Sequence, residues 1–274
     1  MKIFAILLVK DEADIIGAAL QSASEWADGI FVLDNGSSDG TWELLQSMQS
    51  NVIHPWRQEF APYRRSLRAD IFNHFRHHAS TGDWWCNMDA DEFYVDDPRQ
   101  FLASVAPRYH VVFKKSIDYR LTREDVTENH FSGRFEDDRA ILRYVEPRCW
   151  TEMRFFRHRE RLQWHSSGPR VSNLPRRVGL HYPTPILVRH YQYRSPDQIQ
   201  RRLDVRNAVP RDREGRPFKH VRQSHWEDLV VSRSDVVLDE GRITYDALPQ
   251  RSKIKERLPK RIIKTVLHGL RVWP

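Results

Sequence analysis

The chain has 274 residues, of which 40% are hydrophobic, and it includes nine Trp and thirteen Phe. This composition excludes an intrinsically disordered protein, and the length predicts one large domain or one domain with an appendage. The cysteines, Cys86 and Cys149, are too few for a disulfide framework and suit a reducing cytosol. A net charge of +7 permits a partner that carries phosphate or an anionic membrane surface.

The first apolar run, residues 3–9, is short for the core of a signal peptide, and no small-residue cleavage site follows it. No stretch approaches the roughly 18 apolar residues of a membrane span. The sequence therefore predicts a cytoplasmic protein.

The first 115 residues alternate apolar runs with amphipathic segments. Buried strands are predicted at 3–9, 29–34, 51–54, 84–88 and 110–115. Helices are predicted from a cap at Asp11 to Ala23, from Asp39 to Met48, and from Tyr63 to about His78. Such alternation predicts an α/β fold with a parallel sheet covered on both faces. In these sheets ligands bind beyond the carboxyl ends of the strands, where Asp34 and Asp89 lie.

The pattern loosens from about residue 119 to 190, where charge is dense and a short strand is predicted at 152–158. Ser195 and Pro196 predict a helix start, and Pro210 ends that helix or follows its end. We divide the chain into 1–118, the regular α/β half; 119–248, the less regular half of the same domain; and 249–274, a basic amphipathic tail.

The stretch "VLDNGSSDGT", residues 32–41, ends a strand in Asp34, turns, and begins a helix. The Asp34 carboxylate can accept hydrogen bonds from a nucleobase N–H or from ribose hydroxyls. An ordinary strand-turn-helix with an Asp cap explains the same residues.

The stretch "WWCNMDADEFYVDD", residues 84–97, crowds carboxylates at the end of an apolar run. Asp89 and Asp91 are two residues apart, so in extended chain they point the same way. Two carboxylates on one side suit a hard cation such as Mg²⁺ or Mn²⁺. The alternative is a solvated acidic turn closed by nearby arginines.

In order and spacing, the two motifs and the following Glu92-Phe93 resemble the family-two glycosyltransferases with the GT-A nucleotide-diphospho-sugar transferase fold, over residues 1 to about 97. The resemblance implies that Val9, Glu12 and Asp34 help hold the nucleotide. It also implies that Asp89 and Asp91 lie against the diphosphate and its Mn²⁺ or Mg²⁺, with Asp91 as the direct ligand.

Residues 188–202 resemble the later histidine region of relatives that carry a "DADEF" motif. There His190 would be a further metal or diphosphate contact. His181 and His165 compete with it, and a packed or surface histidine is the alternative.

Such a family moves a sugar from a nucleotide-diphospho-sugar to an acceptor hydroxyl, here expected to be a glycan or lipid-linked acceptor in cell-surface polysaccharide or glycolipid synthesis. The resemblance thus implies that residues 1–118 are the nucleotide-sugar-binding half and residues 119–248 the acceptor-side half of one catalytic domain. Inversion is implied by the family. An inverting displacement needs a base, and Glu152 is the first choice because a short strand could carry it towards the cleft. Three further acids stay open as the base: Asp137, Asp138 and Glu146.

Water must be excluded from such a site, and Trp150, Trp164 and the 158–170 loop are expected to close over it. Arg64, Arg65 and Arg68 head the third helix, where they could contact phosphate or form a solvated face.

Other classes fit less well. A nucleotidyltransferase would carry a Gly-rich phosphate loop after the first strand, where this chain reads "VKDEAD". The Lys and Arg residues are too dispersed for a nucleic-acid-binding protein, so no nucleic-acid partner is expected. A degenerate glycosyltransferase that binds without reacting stays open.

The tail, residues 251–274, repeats apolar residues every four positions among Lys and Arg, and Trp273 follows. A basic amphipathic helix of this kind can lie in a membrane interface, which would make the protein peripheral on the inner face of the membrane. Packing of the apolar stripe on the domain is the alternative. Pro259 is expected to divide the segment and leave 260–272 as the helix.

Overall fold

The computed structural model describes residues 1–61, 63–64, 66–167, 171–172, 174–208, 222–243, 248, 256–270 and 272–273. Its strands are β1 Ile3–Val9, β2 Gly29–Asp34, β3 Ile53–Gln58, β4 Trp84–Met88, β5 Glu92–Tyr94, β6 Val111–Arg120, β7 Tyr144–Val145, β8 Trp150–Arg157, β9 Ile186–His190 and β10 Val237–Leu238. Its helices are α1 Ile16–Ser24, α2 Thr41–Ser47, α3 Leu67–Phe75, α4 Pro98–Ser104, α5 Arg123–Glu128, α6 Phe135–Asp138, α7 Pro196–Ala208 and α8 Leu258–Gly269.

The strands form one sheet in the order β10-β7-β6-β8-β4-β1-β2-β3, and β9 pairs with β6 and β5. Strands β4, β1, β2 and β3 pair with one another in parallel. Strand β8 is antiparallel to both β4 and β6. The predicted α/β fold class is therefore confirmed, with a parallel sheet through the first four strands and a mixed sheet beyond them.

Helices cover both faces of the sheet because its central strands are apolar on both sides. Trp84 packs in a cluster with α1, while its neighbour Trp85 packs with Phe72 of α3 on the opposite face. Both Trp side chains are fully buried. Alternation of side chains along β4 thus ties the two helical layers to one strand.

Several predicted boundaries move. Asp11 does not cap α1, which begins at Ile16. The Asp11 backbone has a φ of +51°, and its carboxylate accepts a hydrogen bond from the Ser38 N–H. Asp11 therefore links the loop after β1 to the loop after β2. Helix α3 begins at Leu67, later than predicted. The short strand β5 and helix α4 follow the acidic motif and were not predicted.

The later helices follow their sequence signals. The Ser195 hydroxyl accepts a hydrogen bond from the Gln198 N–H at 3.2 Å, which confirms the predicted start of α7. Pro210 lies outside the described residues, as do residues 249–255 and 271 of the tail. Helix α8 begins at Leu258, close to the start predicted at residue 260, and Pro259 lies in its first turn, where its missing N–H costs no hydrogen bond. No helix in the described part of the chain is both long and apolar enough to cross a membrane.

The core position of Trp85 generates a stability prediction. Trp85→Ala should lower the free energy of unfolding by about 3–5 kcal/mol, because the cavity it leaves is lined by rings that cannot all move inward. Urea denaturation measures this. Trp150→Ala is the matched control, since Trp150 is 51% exposed and its loss should change stability by no more than about 0.5 kcal/mol. Equal losses in the two variants would contradict the packing described here.

Candidate active site

A cleft of about 1090 Å³ opens beyond the carboxyl ends of β1 and β4. Strands β6, β8 and β9 and helix α7 complete its walls. The cleft brings together most of the residues predicted from the sequence: Val9, Glu12, Asp89, Asp91, Glu152 and His190.

Asp34 is the exception among the predicted nucleotide contacts. It is fully buried, and its two carboxylate oxygens accept hydrogen bonds from the Ser37 N–H at 2.8 Å and the Ser37 hydroxyl at 2.5 Å. The next residue, Asn35, lines the cleft instead. In this structure the Asp34 carboxylate closes the turn after β2, and its contact with a nucleotide stays a prediction.

Two arginines hold the Asp89 carboxylate. Arg154, which is 1% exposed, donates to it at 2.9 Å, and Arg68 of α3 donates to its other oxygen. Burial alone would raise the pKa of Asp89, but the two guanidiniums lower it well below its usual range. Asp89 therefore stays charged and its oxygens are already engaged. Of the three arginines that head α3 in sequence, Arg68 reaches the site, Arg64 pairs with Glu59, and Arg65 lies outside the described residues.

Arg154 also holds Glu92, at 2.6 Å, and Lys114 of β6 donates to the same carboxylate. Glu92 is 2% exposed. Burial raises its pKa against the lowering effect of both cations. This buried ion-pair group, made of Arg154, Glu92 and Lys114, forms the floor beneath Asp89.

Asp91 faces a different pair of cations. Its Oδ2 lies 3.3 Å from Arg202 Nη1 and 3.4 Å from His190 Nε2. Burial alone would raise the pKa of Asp91, whereas His190 and Arg202 lower it well below its usual range. Arg202 also donates to Glu12 at 3.0 Å, so it bridges two carboxylates of the cleft.

The other ring nitrogen of His190 is fixed. Its Nδ1 lies 2.7 Å from Asp118 Oδ1, and Asp118 in turn accepts from the Ser116 hydroxyl at 2.6 Å. Burial alone would lower the pKa of His190, but Asp91 and Asp118 raise it to about 10. Histidines that bind metals commonly hold a carboxylate with one nitrogen and present the other to the ion.

The fit of a divalent cation rests on this pair. Within the described residues, no three His, Cys, Asp or Glu side chains converge on a point that could hold a metal ion. Mg²⁺ needs only one or two protein carboxylates when substrate phosphate and water supply the remaining ligands. Asp91 and His190 suit such a sparse site, whereas Asp89 is committed to Arg68 and Arg154.

The other predicted histidines lie outside the cleft lining. His181 Nε2 lies 3.3 Å from Lys264 Nζ of α8. His165 is partly buried and is absent from the lining of the cleft.

Of the four candidate bases, Glu152 alone lines the cleft. Its side chain is 47% exposed and its Oε2 lies 3.4 Å from Arg154 and 3.7 Å from Lys114. The other three have structural contacts elsewhere: Asp137 is exposed beside Arg134, Asp138 accepts from the Ser132 and Gly133 N–H groups, and Glu146 pairs with Arg120.

The two tryptophans predicted to cover the site differ. Trp150 lines the cleft and is half exposed. Trp164 is 2% exposed, packs against Phe72 and Phe156, and donates its indole N–H to the Ser172 carbonyl at 2.8 Å. The expected closing role of Trp164 is therefore wrong, because the ring belongs to the core. Residues 168–170 of the predicted loop lie outside the described part of the chain.

Sequence reasoning missed the cations that α7 brings to the cleft. Arg202 and Arg206 line it from α7, where a four-residue spacing places them on one side of the helix. That spacing was the available signal. Arg194 was also missed; it pairs with Asp14 at 2.6 Å and with Glu12.

The sequence model described as Glycosyl transferase family 2 matches residues 5–159, more than half of the chain. The chain belongs to glycosyl transferase family 2. A TPR repeat-containing protein of Synechococcus elongatus is 32% identical over 87 residues, which are 31% of this chain and 19% of that protein. The chain thus spans about a fifth of the curated relative it matches.

Solved structures show distant likenesses. A structure of S. aureus TarS in complex with UDP has 11% identity and a TM-score of 0.37, covering 78% of this chain and 68% of that one. A mycobacterial protein has 23% identity and a TM-score of 0.29, covering 52% of this chain and 48% of that one.

The buried floor of the site generates a prediction. Arg154→Met should destabilise the protein by about 3–5 kcal/mol, because it leaves Glu92 and Asp89 with too little counter-charge in a buried place. Urea denaturation again measures the change. Arg64→Met is the matched control: Arg64 pairs with Glu59 but is 47% exposed, and such surface pairs contribute at most about 1 kcal/mol. An Arg154 variant as stable as the Arg64 variant would refute the role of the floor.

Proposed function

We propose that the protein transfers a sugar from a nucleotide-diphospho-sugar to an acceptor hydroxyl, with the help of a divalent cation. The observation that carries this proposal is the arrangement around Asp91. Its carboxylate faces His190 at the cleft surface, and Asp118 fixes that histidine from behind. Family membership supports the transferase class.

Asp91 and His190 would hold Mn²⁺ or Mg²⁺, and Asp118 would orient the histidine. When bound, the cation offsets the negative charge that the nucleoside diphosphate gains as the anomeric C–O bond breaks. The sparse protein ligand set leaves room for diphosphate oxygens and water.

The chain's own cations act on the same charge. Arg202 and Arg206 line the cleft beside Asp91 and are suited to receive the diphosphate. Val9 and Glu12 line the nucleotide side of the cleft, and Asp89 is held in place by Arg68 and Arg154. Asp34 contributes indirectly, by closing the turn from which Asn35 reaches the cleft.

Glu152 is proposed as the base. It stands on the cleft wall with its carboxylate half exposed, where an incoming acceptor hydroxyl can reach it. A single carboxylate that removes the acceptor proton is what a direct, inverting displacement requires. Trp150, two residues earlier on β8, gives the acceptor an apolar wall at the cleft mouth.

The proposed setting is the cytoplasm, at the inner face of a membrane. Two buried thiols and no disulfide among the described residues fit a reducing compartment. A glycan or lipid-linked acceptor would place the reaction in cell-surface polysaccharide or glycolipid synthesis, with no nucleic-acid partner.

Asp91→Asn tests the cation site. The variant should lose transfer and lose the Mn²⁺-dependent part of nucleotide binding while it stays folded, because a neutral amide oxygen binds a divalent cation more weakly than a carboxylate does. A thermal-shift screen of nucleotide-sugars with and without Mn²⁺ measures binding; a ligand at 100 times its Kd stabilises by about 2.7 kcal/mol. Asp137→Asn makes the same chemical change outside the cleft and should behave as wild type. Normal turnover by Asp91→Asn would sink the proposal.

Glu152→Gln tests the base. It should keep donor binding and lose about 10²- to 10⁴-fold in rate, since the amide cannot accept the acceptor's proton. Single-turnover kinetics with saturating donor separate this loss from weaker binding. If Glu152→Gln turns over normally while Asp137→Asn or Asp138→Asn does not, the base lies elsewhere.

A further inference from the structure

Helix α8 turns its apolar side away from the domain. The large side chains of this side are 51% to 68% exposed: Leu258, Ile262, Ile263, Val266 and Leu270. Their spacing of three and four residues places them on one stripe. A surface helix of a globular protein normally buries such a stripe against the core, so the orientation calls for an explanation.

The opposite side of α8 is polar and is the side that contacts the domain. Lys264, two residues before Val266 and so on the far side of the helix, is 7% exposed. Its ammonium donates to the Gly179 carbonyl at 2.7 Å and forms an ion pair with Glu256 at 2.5 Å. One turn later, His268 contacts Arg159 at 3.0 Å. These polar contacts fix which side of the helix faces outward.

The domain surface beneath α8 is shaped for this polar side. Gly179 has a φ of +108°, and a Cβ there would lie 2.3 Å from His110 Nδ1. Only glycine lets the chain pass so close to His110, and the passage presents the carbonyl that receives Lys264. The His110 ring also contacts the His268 ring, with centroids 4.7 Å apart.

The positive charges beside the apolar side of α8 indicate what kind of surface it contacts. Arg257, Lys260 and Arg261 are exposed, and no Asp or Glu occurs between Arg257 and Trp273. A second copy of the helix would bring two such cationic margins together, which is unfavourable. An anionic lipid surface accepts both the apolar stripe and the charges, since each Lys or Arg near such a surface contributes about 1 kcal/mol.

We propose that the apolar side of α8 lies in the interface of an anionic membrane, with the helix parallel to the membrane plane. This surface is distinct from the cleft. His110 touches α8, and β6 runs on from Val111 to Lys114, Ser116 and Asp118, which line the cleft. At about 3.3 Å per residue, roughly 13–26 Å of strand separates the two. The proposal therefore does not depend on the transfer reaction.

Vesicle co-sedimentation of the whole protein tests it. At low ionic strength the wild type should bind phosphatidylcholine vesicles that contain about one third phosphatidylglycerol, and bind pure phosphatidylcholine more weakly. The double variant Ile263→Glu/Val266→Glu should bind the anionic vesicles at least about tenfold less, because it puts carboxylates into the stripe. Both positions are exposed, so the variant should keep the wild-type melting temperature.

A matched control separates the stripe from net charge. Gln46→Glu/Gln49→Glu adds two carboxylates at exposed positions in and just after α2, which packs against the edge strand β3, whereas α8 contacts His110 just before β6. This control should keep most of the vesicle binding. An equal loss in the two double variants would mean that binding is merely electrostatic, and it would overturn the proposal.

Two further results would also overturn it. One is a wild-type protein that ignores anionic vesicles. The other is a dimer, seen by analytical ultracentrifugation, that Ile263→Glu/Val266→Glu dissociates, which would show that a second copy covers the stripe. The Mn²⁺-dependent thermal shift with nucleotide-sugars should be the same in wild type and in this variant. A failure of the catalytic proposal would appear in that measurement, and a failure of the membrane proposal would appear in sedimentation alone.

Discussion

The carboxylates gathered at the end of β4 can be held only by buried cations, and Arg154 is the cation on which their arrangement depends. It reaches Asp89 at 2.9 Å and Glu92 at 2.6 Å, and it is 1% exposed. Two like charges about 4 Å apart repel by roughly 4 kcal/mol at an effective dielectric of 20. A cluster that included Asp91 as well would not stay together without compensation. The arginine makes the acidic floor of the cleft a stable part of the fold.

The cations that neutralise these carboxylates connect the two halves of the chain. The carboxylates come from residues 12–92, whereas Arg154, Arg194 and Arg202 come from the later half. The boundary predicted at residue 118 falls inside β6, which itself contributes Lys114 to the floor. Charge neutralisation therefore makes the arginines of residues 119–248 necessary for the carboxylates of residues 1–118. The cation pairs also differ in kind, because Asp89 is locked between two arginines while Asp91 faces a histidine and an arginine at the cleft surface.

Local patterns predicted the parts of this site that local physics determines. Apolar runs located β1, β2 and β4, and the strand end located Asp89 and Asp91. The partners of these carboxylates were not predictable, since Arg202 lies 111 residues from Asp91 and no local signal links them. Asp34 illustrates a second limit of sequence-based prediction. The local sequence around an aspartate at a strand end is the same whether its carboxylate closes the following turn or faces a ligand. The repeat in the tail predicted a helix, but which side of α8 faces the domain depended on Gly179 and Lys264.

The position of Arg154 shows why the alternation of side chains along a strand was not enough to predict where this arginine points. Along β8, Phe155 pairs with Val112 and Met153 pairs with Phe113, so the register shifts by one residue at Arg154. Such a bulge re-aims a side chain and breaks the alternation on each side of it. Met153 and Phe155, two residues apart, consequently pack in different clusters on the two sides of the sheet. In a regular strand Met153 and Phe155 would share a face, and Arg154 would point to the other face.

One extra residue in β8 thus frees Arg154 from the ladder and directs its guanidinium to the end of β4, where it donates to the Asn87 carbonyl and to the carboxylates of Asp89 and Glu92. The electrostatics of the cleft therefore rest on a backbone irregularity that the side-chain pattern does not encode.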